Sequence, residues 1–258
     1  MSGKHAVPRL AALILLVLFV AVPARADEIR VMTSGAFTEA YQQLVQQFEK
    51  TTRHTVVTTF GASMGGASDS IPVRLGRGEP VDVVIVIESA FDPLIKAGHI
   101  VAESRVQLAR SVIGAAVRKG APKPDISSVA ALRRTLLQAK SIAYSASASG
   151  VYLSTELFQR LGIADQIAGK SKRIESERVA AVVARGDAEI GFQQISELLP
   201  VRGIDYVGPL PPEVQKVTVY SAGVVAGAKN ADSARTLIAF LASRATASAI
   251  TRSGLELP

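Results

Sequence analysis

The chain has 258 residues and a formal charge of +7, with 48% hydrophobic and 20% charged residues, no cysteine and no tryptophan. That length makes one large domain or two small ones, with enough apolar residues for packed cores. Zero cysteine excludes disulfide scaffolds, thiol nucleophiles, Cys-ligated zinc and Cys-held iron–sulfur clusters.

Residues 1–26 read as a secretory signal peptide. Lys4, His5 and Arg9 form a basic start, Leu10 to Val22 is an unbroken apolar run, and Pro23-Ala24-Arg25-Ala26 ends it with a small-x-small pattern. The run is too short to span the roughly 30 Å of a bilayer's hydrocarbon, and a lipoprotein anchor would need the missing cysteine. Cleavage after Ala26 delivers the mature chain to the periplasm, with no membrane insertion afterwards. It also removes Lys4, Arg9 and Arg25, which lowers the charge to +4. The longest basic cluster left is Lys170-Ser171-Lys172-Arg173, with no interleaved aromatics. Nucleic-acid binding wants a denser basic stripe and stacking platforms, so that class is set aside.

In the mature chain, short apolar runs alternate with helical spacing. Glu28 to Thr33 predicts a strand, Phe37 to Lys50 a helix with Tyr41, Leu44 and Phe48 on one face, and Thr55 to Phe60 a β-branched strand. A small-residue loop, Gly61 to Gly66, precedes a short helix ending near Gly76. Val83 to Ile87 is apolar throughout, as in a strand covered on both faces, and a helix from Ser89 to Ala97 follows. Ser111 to Val117 predicts one strand, and Ser128 to Ala139 a helix capped by Ser127 or Ser128. Ser141 to Tyr144 reads as a strand and Gly150 to Leu161 as a helix. Ser176 is placed as cap of a helix through Ala184 that Gly186 ends. Ala188 to Phe192 and Val217 to Ala226 complete the strands, and Asp232 to Arg244 and Thr246 to Arg252 the helices. This alternation predicts an α/β fold with mostly parallel sheets and flanking helices.

Three strand–turn–helix junctions share small polar residues: Thr33-Ser34-Gly35-Ala36, Gly61-Ala62-Ser63-Met64-Gly65-Gly66 and Ser145 to Gly150. Such turns offer hydroxyls and backbone N–H groups at the positive ends of helices, which suits an anion. Each alone is explained as a turn or cap. Three of them, split between the two halves, point to a shared anion cleft.

These residues resemble type II periplasmic solute-binding proteins, on the molybdate-binding branch of ABC transporter components. The likeness rests on Val31 to Ala40, Phe60 to Ser63, Gly78-Glu79-Pro80-Val81-Asp82 entering an apolar strand, Ser149-Gly150-Val151-Tyr152, and Arg178 to Gly191, and it covers residues 27–258. It implies two lobes with a ligand cleft between them: lobe 1 from 27–108 and 219–258, lobe 2 from 109–218. It also implies a monomer that passes a small anionic ligand to an ABC permease, with no cofactor and no metal.

The family's oxyanion site, carried over by position, places its first-loop serine on Ala36, with Ser34 and Gly35 beside it, and its second-loop serine on Ser63. Its backbone donors fall on Ser149 and on Glu177 beside Arg178, and its tyrosine on Gln194. Two hydroxyls are thus replaced. Glutamine both donates and accepts hydrogen bonds, and Arg74, Arg77 and Arg178 can pair bidentately with carboxylates. A di- or tricarboxylate is therefore expected in preference to molybdate. The segments Ala62 to Gly65 and Ala148 to Tyr152 are also similar to the aconitate isomerases of this branch. That alternative needs a base near a substrate carbon, for which Glu177 is the positional candidate, with Tyr152 as partner.

Gly61-Ala62-Ser63-Met64-Gly65 also fits the Gly-x-Ser-x-Gly elbow of hydrolases. The mature histidines, His54 and His99, do not fit the usual order of such a triad, and two scattered histidines make a poor metal site.

Overall fold

The computed structural model describes residues 26–175 and 177–258. The expected signal peptide and the Ser176 cap lie outside the described residues, apart from Ala26.

The strands are β1 Glu28–Thr33, β2 Thr55–Phe60, β3 Val83–Ile87, β4 Val106–Ser111, β5 Ile113–Arg118, β6 Ile142–Ser145, β7 Ser171–Ile174, β8 Ile190–Gln194, β9 Ile204–Pro209 and β10 Thr218–Val224. The helices are α1 Thr38–Thr52, α2 Ile71–Gly76, α3 Phe91–Lys96, α4 Val129–Gln138, α5 Ala148–Tyr152, α6 Phe158–Arg160, α7 Ala164–Ile167, α8 Val179–Arg185, α9 Ile195–Leu198, α10 Ala231–Leu241 and α11 Ala247–Arg252. A π-helical turn, Leu153–Leu157, joins α5 to α6.

Two five-stranded sheets result, in the orders β2-β1-β3-β10-β4 and β7-β6-β8-β5-β9. Each is half parallel. β1 runs parallel to β2 and β3, and β6 to β7 and β8, while β10 and β5 run antiparallel to both of their neighbours. The central strand β3 is almost wholly buried, with Val83, Val84, Ile85 and Val86 at 0% exposure. It is covered by α1 and α10 on one face and by α2 and α3 on the other, so both faces must be apolar. On α1 the buried Tyr41, Leu44, Val45 and Phe48 follow helical spacing, and Arg53 in the left-handed region ends the helix. The second sheet has its own cores, one under α4 to α7 and one under α8.

The strand expected from Ser111 to Val117 is β5, which starts at Ile113; Ser111 is the last residue of β4, which the sequence reading otherwise missed. The chain breaks at Val112, where it leaves the first sheet for the second, and it returns between Leu210 and Val217. Residues 109–111 therefore pair within the first sheet. The helix expected to start at Gly150 starts at Ala148. Strands β7 and β9 had no counterpart in the sequence reading: β7 is a short edge strand with two exposed basic residues, and β9 is another edge strand, only partly buried. Ser128 does cap α4, accepting from the Ala131 N–H at 3.2 Å.

Register aligns the two sheets. The end of β3 pairs with β10 at Ile87 and Tyr220, the end of β4 with its start at Ser111 and Thr218, and the end of β8 with β5 at Gln194 and Ile113. The C-terminal ends of the parallel strands in both sheets therefore face the same crossovers. In open α/β sheets that edge is where ligands bind.

Candidate functional site

The first wall is built on the ends of β1 and β3. Gly35 has φ +57°, and a Cβ there would come within 2.7 Å of the Tyr220 hydroxyl, so only glycine fits. The next residue, Ala36, donates its N–H to that hydroxyl at 3.2 Å. Ser34 and Ser63 are buried and hydrogen-bond to each other through their hydroxyls. Ser63 Oγ also accepts the Ile87 N–H at 3.1 Å. The two loops that share small polar residues are thereby locked together, with the Ser63 hydroxyl oriented by two partners. Its bonds are to a serine and a backbone amide, not to a histidine, which removes the hydrolase elbow. His54 instead stacks on Phe48 and accepts the Asp27 N–H.

The second wall is the start of α5. Ser145 Oγ bonds to Ser147 Oγ at 2.7 Å and to Ser149 Oγ at 3.0 Å. A Cβ at Gly150 would meet the Ser145 carbonyl oxygen at 1.6 Å, so the glycine lets the helix start directly on the strand end. Ser147, the residue before α5, makes no side-chain cap, so the first-turn N–H groups have no partner inside the helix. On the first wall the Ala36 N–H is taken by the Tyr220 hydroxyl and the Ile71 N–H at the start of α2 by the Ala62 carbonyl at 2.9 Å; among the described helices, α4 alone has a side-chain cap. The start of α5, set directly on the end of β6, suits an anion.

Arg178 spans the seam, with Nη2 at 2.8 Å from Glu39 Oε1 in the first turn of α1. Gln193 Oε1 accepts the Val179 N–H at 2.9 Å and so holds the start of α8 beside Arg178. The helix α9 packs across the seam against the 3-10 helix Gly35–Phe37. It carries Glu197, which sequence reasoning missed. The residue keeps some exposed surface, but its carboxyl is deep enough for burial to be the dominant influence. Burial raises its pKa to about 7, against the weaker pull of the Arg178 charge and the Gln193 amide. Tyr220 is pushed above its ordinary value by burial and then by the Glu197 charge, so its hydroxyl stays protonated. A lone acid within the run Ile195-Ser196-Glu197-Leu198-Leu199 was the available signal.

Several expected residues are engaged elsewhere. The Glu177 carboxylate is held by Arg185 through two bonds of 2.8 and 2.9 Å, and this pairing lowers its pKa, which makes it a weak base. Tyr152 is buried among the second-sheet core residues and donates its hydroxyl to the Val214 carbonyl at 2.8 Å. Arg74 and Arg77 share Glu79 at 2.7 and 2.6 Å, so their charge is already matched. Gln194 sits at the crossover: its Oε1 accepts from Ser111 at 2.8 Å and its Nε2 donates to Thr218 at 3.1 Å. It pins the second sheet to two strands of the first. Ser34, Gly35, Ala36 and Ser63 thus share the first wall, Ser149 lies on the second beside Ser145, and Arg178 bridges the seam to Glu39.

A cavity of about 850 Å³ lies at the opposite end of the first sheet, lined by Asp27, Arg30, Asp82, His99 and Asn230 among others. Asp82 there accepts the Arg30 and Asn230 N–H groups at 2.9 and 3.0 Å and has structural work already. Among the described residues no acid or histidine cluster suits a metal ion, and no helix is long and apolar enough to cross a membrane.

Comparison with known proteins agrees with this architecture. A family model described as bacterial extracellular solute-binding protein matches residues 29–256. An aconitate isomerase from Pseudomonas sp. is 46% identical over 226 residues, covering 88% of this chain and 86% of that protein. The molybdate-binding protein ModA of Azotobacter vinelandii is 30% identical over 183 residues, covering 69% of each. The solved structure of an A. vinelandii periplasmic molybdate-binding protein superposes with a TM-score of 0.69 at 21% identity, over 89% of this chain and 99% of that one. The chain belongs to the bacterial extracellular solute-binding proteins, within the type II group that includes the molybdate-binding proteins.

Proposed function

We propose that the mature protein works in the periplasm, after cleavage behind Ala26, and captures a small di- or tricarboxylate between two lobes, one around each sheet. The observation that carries this reading is the pair of serine-rich walls at strand ends that face the same crossovers, with Arg178 at the seam. Hydroxyls on both walls and the backbone N–H groups at the start of α5 would hold separated carboxylates, and a guanidinium adds bidentate pairing. Closure about the Val112 and Leu210 to Val217 crossovers would bury the ligand, and a monomer would hand it to an ABC permease.

A thermal-shift screen tests this with molybdate, tungstate, sulfate and small di- and tricarboxylates. At a hundred times the Kd a ligand adds about 2.7 kcal/mol of stability, a rise of several degrees for a chain of this size. Tricarboxylates are expected to give the largest rise. Stabilisation by molybdate alone would overturn the carboxylate reading.

A second reading is favoured by the 46% identity to an aconitate isomerase. On this reading the same cleft interconverts trans- and cis-aconitate. Incubating purified protein with trans-aconitate and following cis-aconitate decides it, and no turnover at high enzyme concentration refutes it.

A further inference from the structure

We propose that Glu197 is the proton-transferring group of this cleft, acting on an unsaturated polycarboxylate held between the Ser63 and Ser149 walls. The inference rests on the isomerase reading.

The geometry comes from α9. This helix leaves β8 at the crossover and packs on the 3-10 helix Gly35–Phe37 of the other sheet. Its Glu197 therefore lies within electrostatic reach of groups from both sides, Arg178 and Tyr220. Among the described residues, the charged or titratable groups shown to act on it are Arg178, whose guanidinium is shared with Glu39, and Tyr220. Gln193 is its neutral neighbour. The acids nearest the walls are spent: Glu177 on Arg185, Glu79 on Arg74 and Arg77, Glu39 on Arg178, and Glu88 on Arg105 and Ser221. Glu197 has no full ion pair of that kind, and its burial leaves it divided between acid and carboxylate near neutrality. A group poised in that way can both take and return a proton.

The chemistry balances without a co-reactant. The substrate class is a carboxylate bearing a methylene next to a carbon–carbon double bond. The Glu197 carboxylate removes one methylene proton, and the C–H electron pair spreads through the double bond into the adjoining carboxylate. The resulting carboxylic acid returns a proton to the far allylic carbon, and the double bond shifts with it. Nothing is oxidised or reduced, and Glu197 ends as it began. Arg178 stabilises the extra negative charge of the intermediate.

The test compares full-length mature protein with Glu197→Gln, using trans-aconitate in deuterated water followed by NMR. Wild type is expected to form cis-aconitate with deuterium entering the allylic positions, and its kcat is expected to rise with pH through an inflection near 7. Glu197→Gln is expected to lose at least a hundredfold in kcat while keeping its thermal shift with trans-aconitate. Turnover within threefold of wild type in the variant would overturn the inference and leave the isomerase reading standing. A wild type stabilised by trans-aconitate but unable to convert it would overturn both and leave the binding reading standing. The wild-type pH profile needs no variant, so a flat kcat between pH 5.5 and 8 would also overturn the inference should Glu197→Gln fail to fold.

Discussion

Glu197 shows at the residue scale how a buried acid can cost stability. Its pKa is raised from the ordinary carboxylate value to about 7 by burial. Below the unfolded value near 4.5 the group is protonated in both states and contributes no difference. Between pH 4.5 and 7 the unfolded chain gives up its proton first, so stability falls as pH rises, and it stays reduced above 7. The shift corresponds to at most about 3 kcal/mol. Glu197→Gln removes this penalty. The variant is therefore expected to be more stable than wild type at pH 8 by about 1–3 kcal/mol, and equal to it within error at pH 4.5. Urea denaturation at the two pH values measures this. An equal gap at both would mean that the effect is packing rather than charge.

At the element scale the crossovers matter most. Gln194 ends β8, yet its amide bonds to Ser111 at the end of β4 and to Thr218 at the start of β10. Gln215 adds a second clasp, accepting the Ile113 N–H and donating to the Ile113 carbonyl, both at 2.9 Å. Gln194→Ala removes one buried and one partly buried hydrogen bond and leaves the Ser111 hydroxyl, which is 0% exposed, without a partner. Such losses cost about 1–3 kcal/mol each at buried sites. The variant is expected to melt several degrees lower while its ligand affinity changes less than threefold, as thermal denaturation and calorimetry would show. A large affinity loss with an unchanged melting point would return Gln194 to the ligand site. The elements also show what a sequence can convey. The all-apolar β3, the helical spacing of Tyr41, Leu44 and Phe48, and the small polar turns were legible because each is a local pattern. The edge strand β7 was not, because its Lys172 and Arg173 are exposed and mimic a basic loop. The break at Val112 was hidden because Val112 leads straight into the apolar start of β5, and β4 before it was missed because the exposed Gln107 and Arg110 interrupt its apolar residues. Glu197 was missed because its burial comes from packing between elements of opposite sheets.

The whole molecule brings one charge relation into view, because it exists only when both sheets are in place. Arg178 reaches across the seam to Glu39 at 2.8 Å, and both side chains are about one-third exposed, at 37% and 29%. A pair so exposed is worth at most about 1 kcal/mol, so it does not by itself hold the sheets together. It does place a negative charge beside Arg178, the guanidinium proposed above to meet an anionic ligand. A carboxylate arriving there competes with Glu39 for the same guanidinium. Glu39→Gln removes the competitor and keeps the side chain's length, so the ligand gains up to about the energy of the lost pair. The expected result is a two- to fivefold tighter Kd for a tricarboxylate at low salt, measured by titration calorimetry, with little change in melting temperature. Because both charges are partly solvated, ions screen them, with a Debye length of about 10 Å at 0.1 M falling to about 3 Å at 1 M. The advantage of the variant should therefore shrink as salt is raised. Weaker binding in Glu39→Gln would reverse the assignment: the pair would then be a contact made on closure, which the ligand exploits rather than displaces.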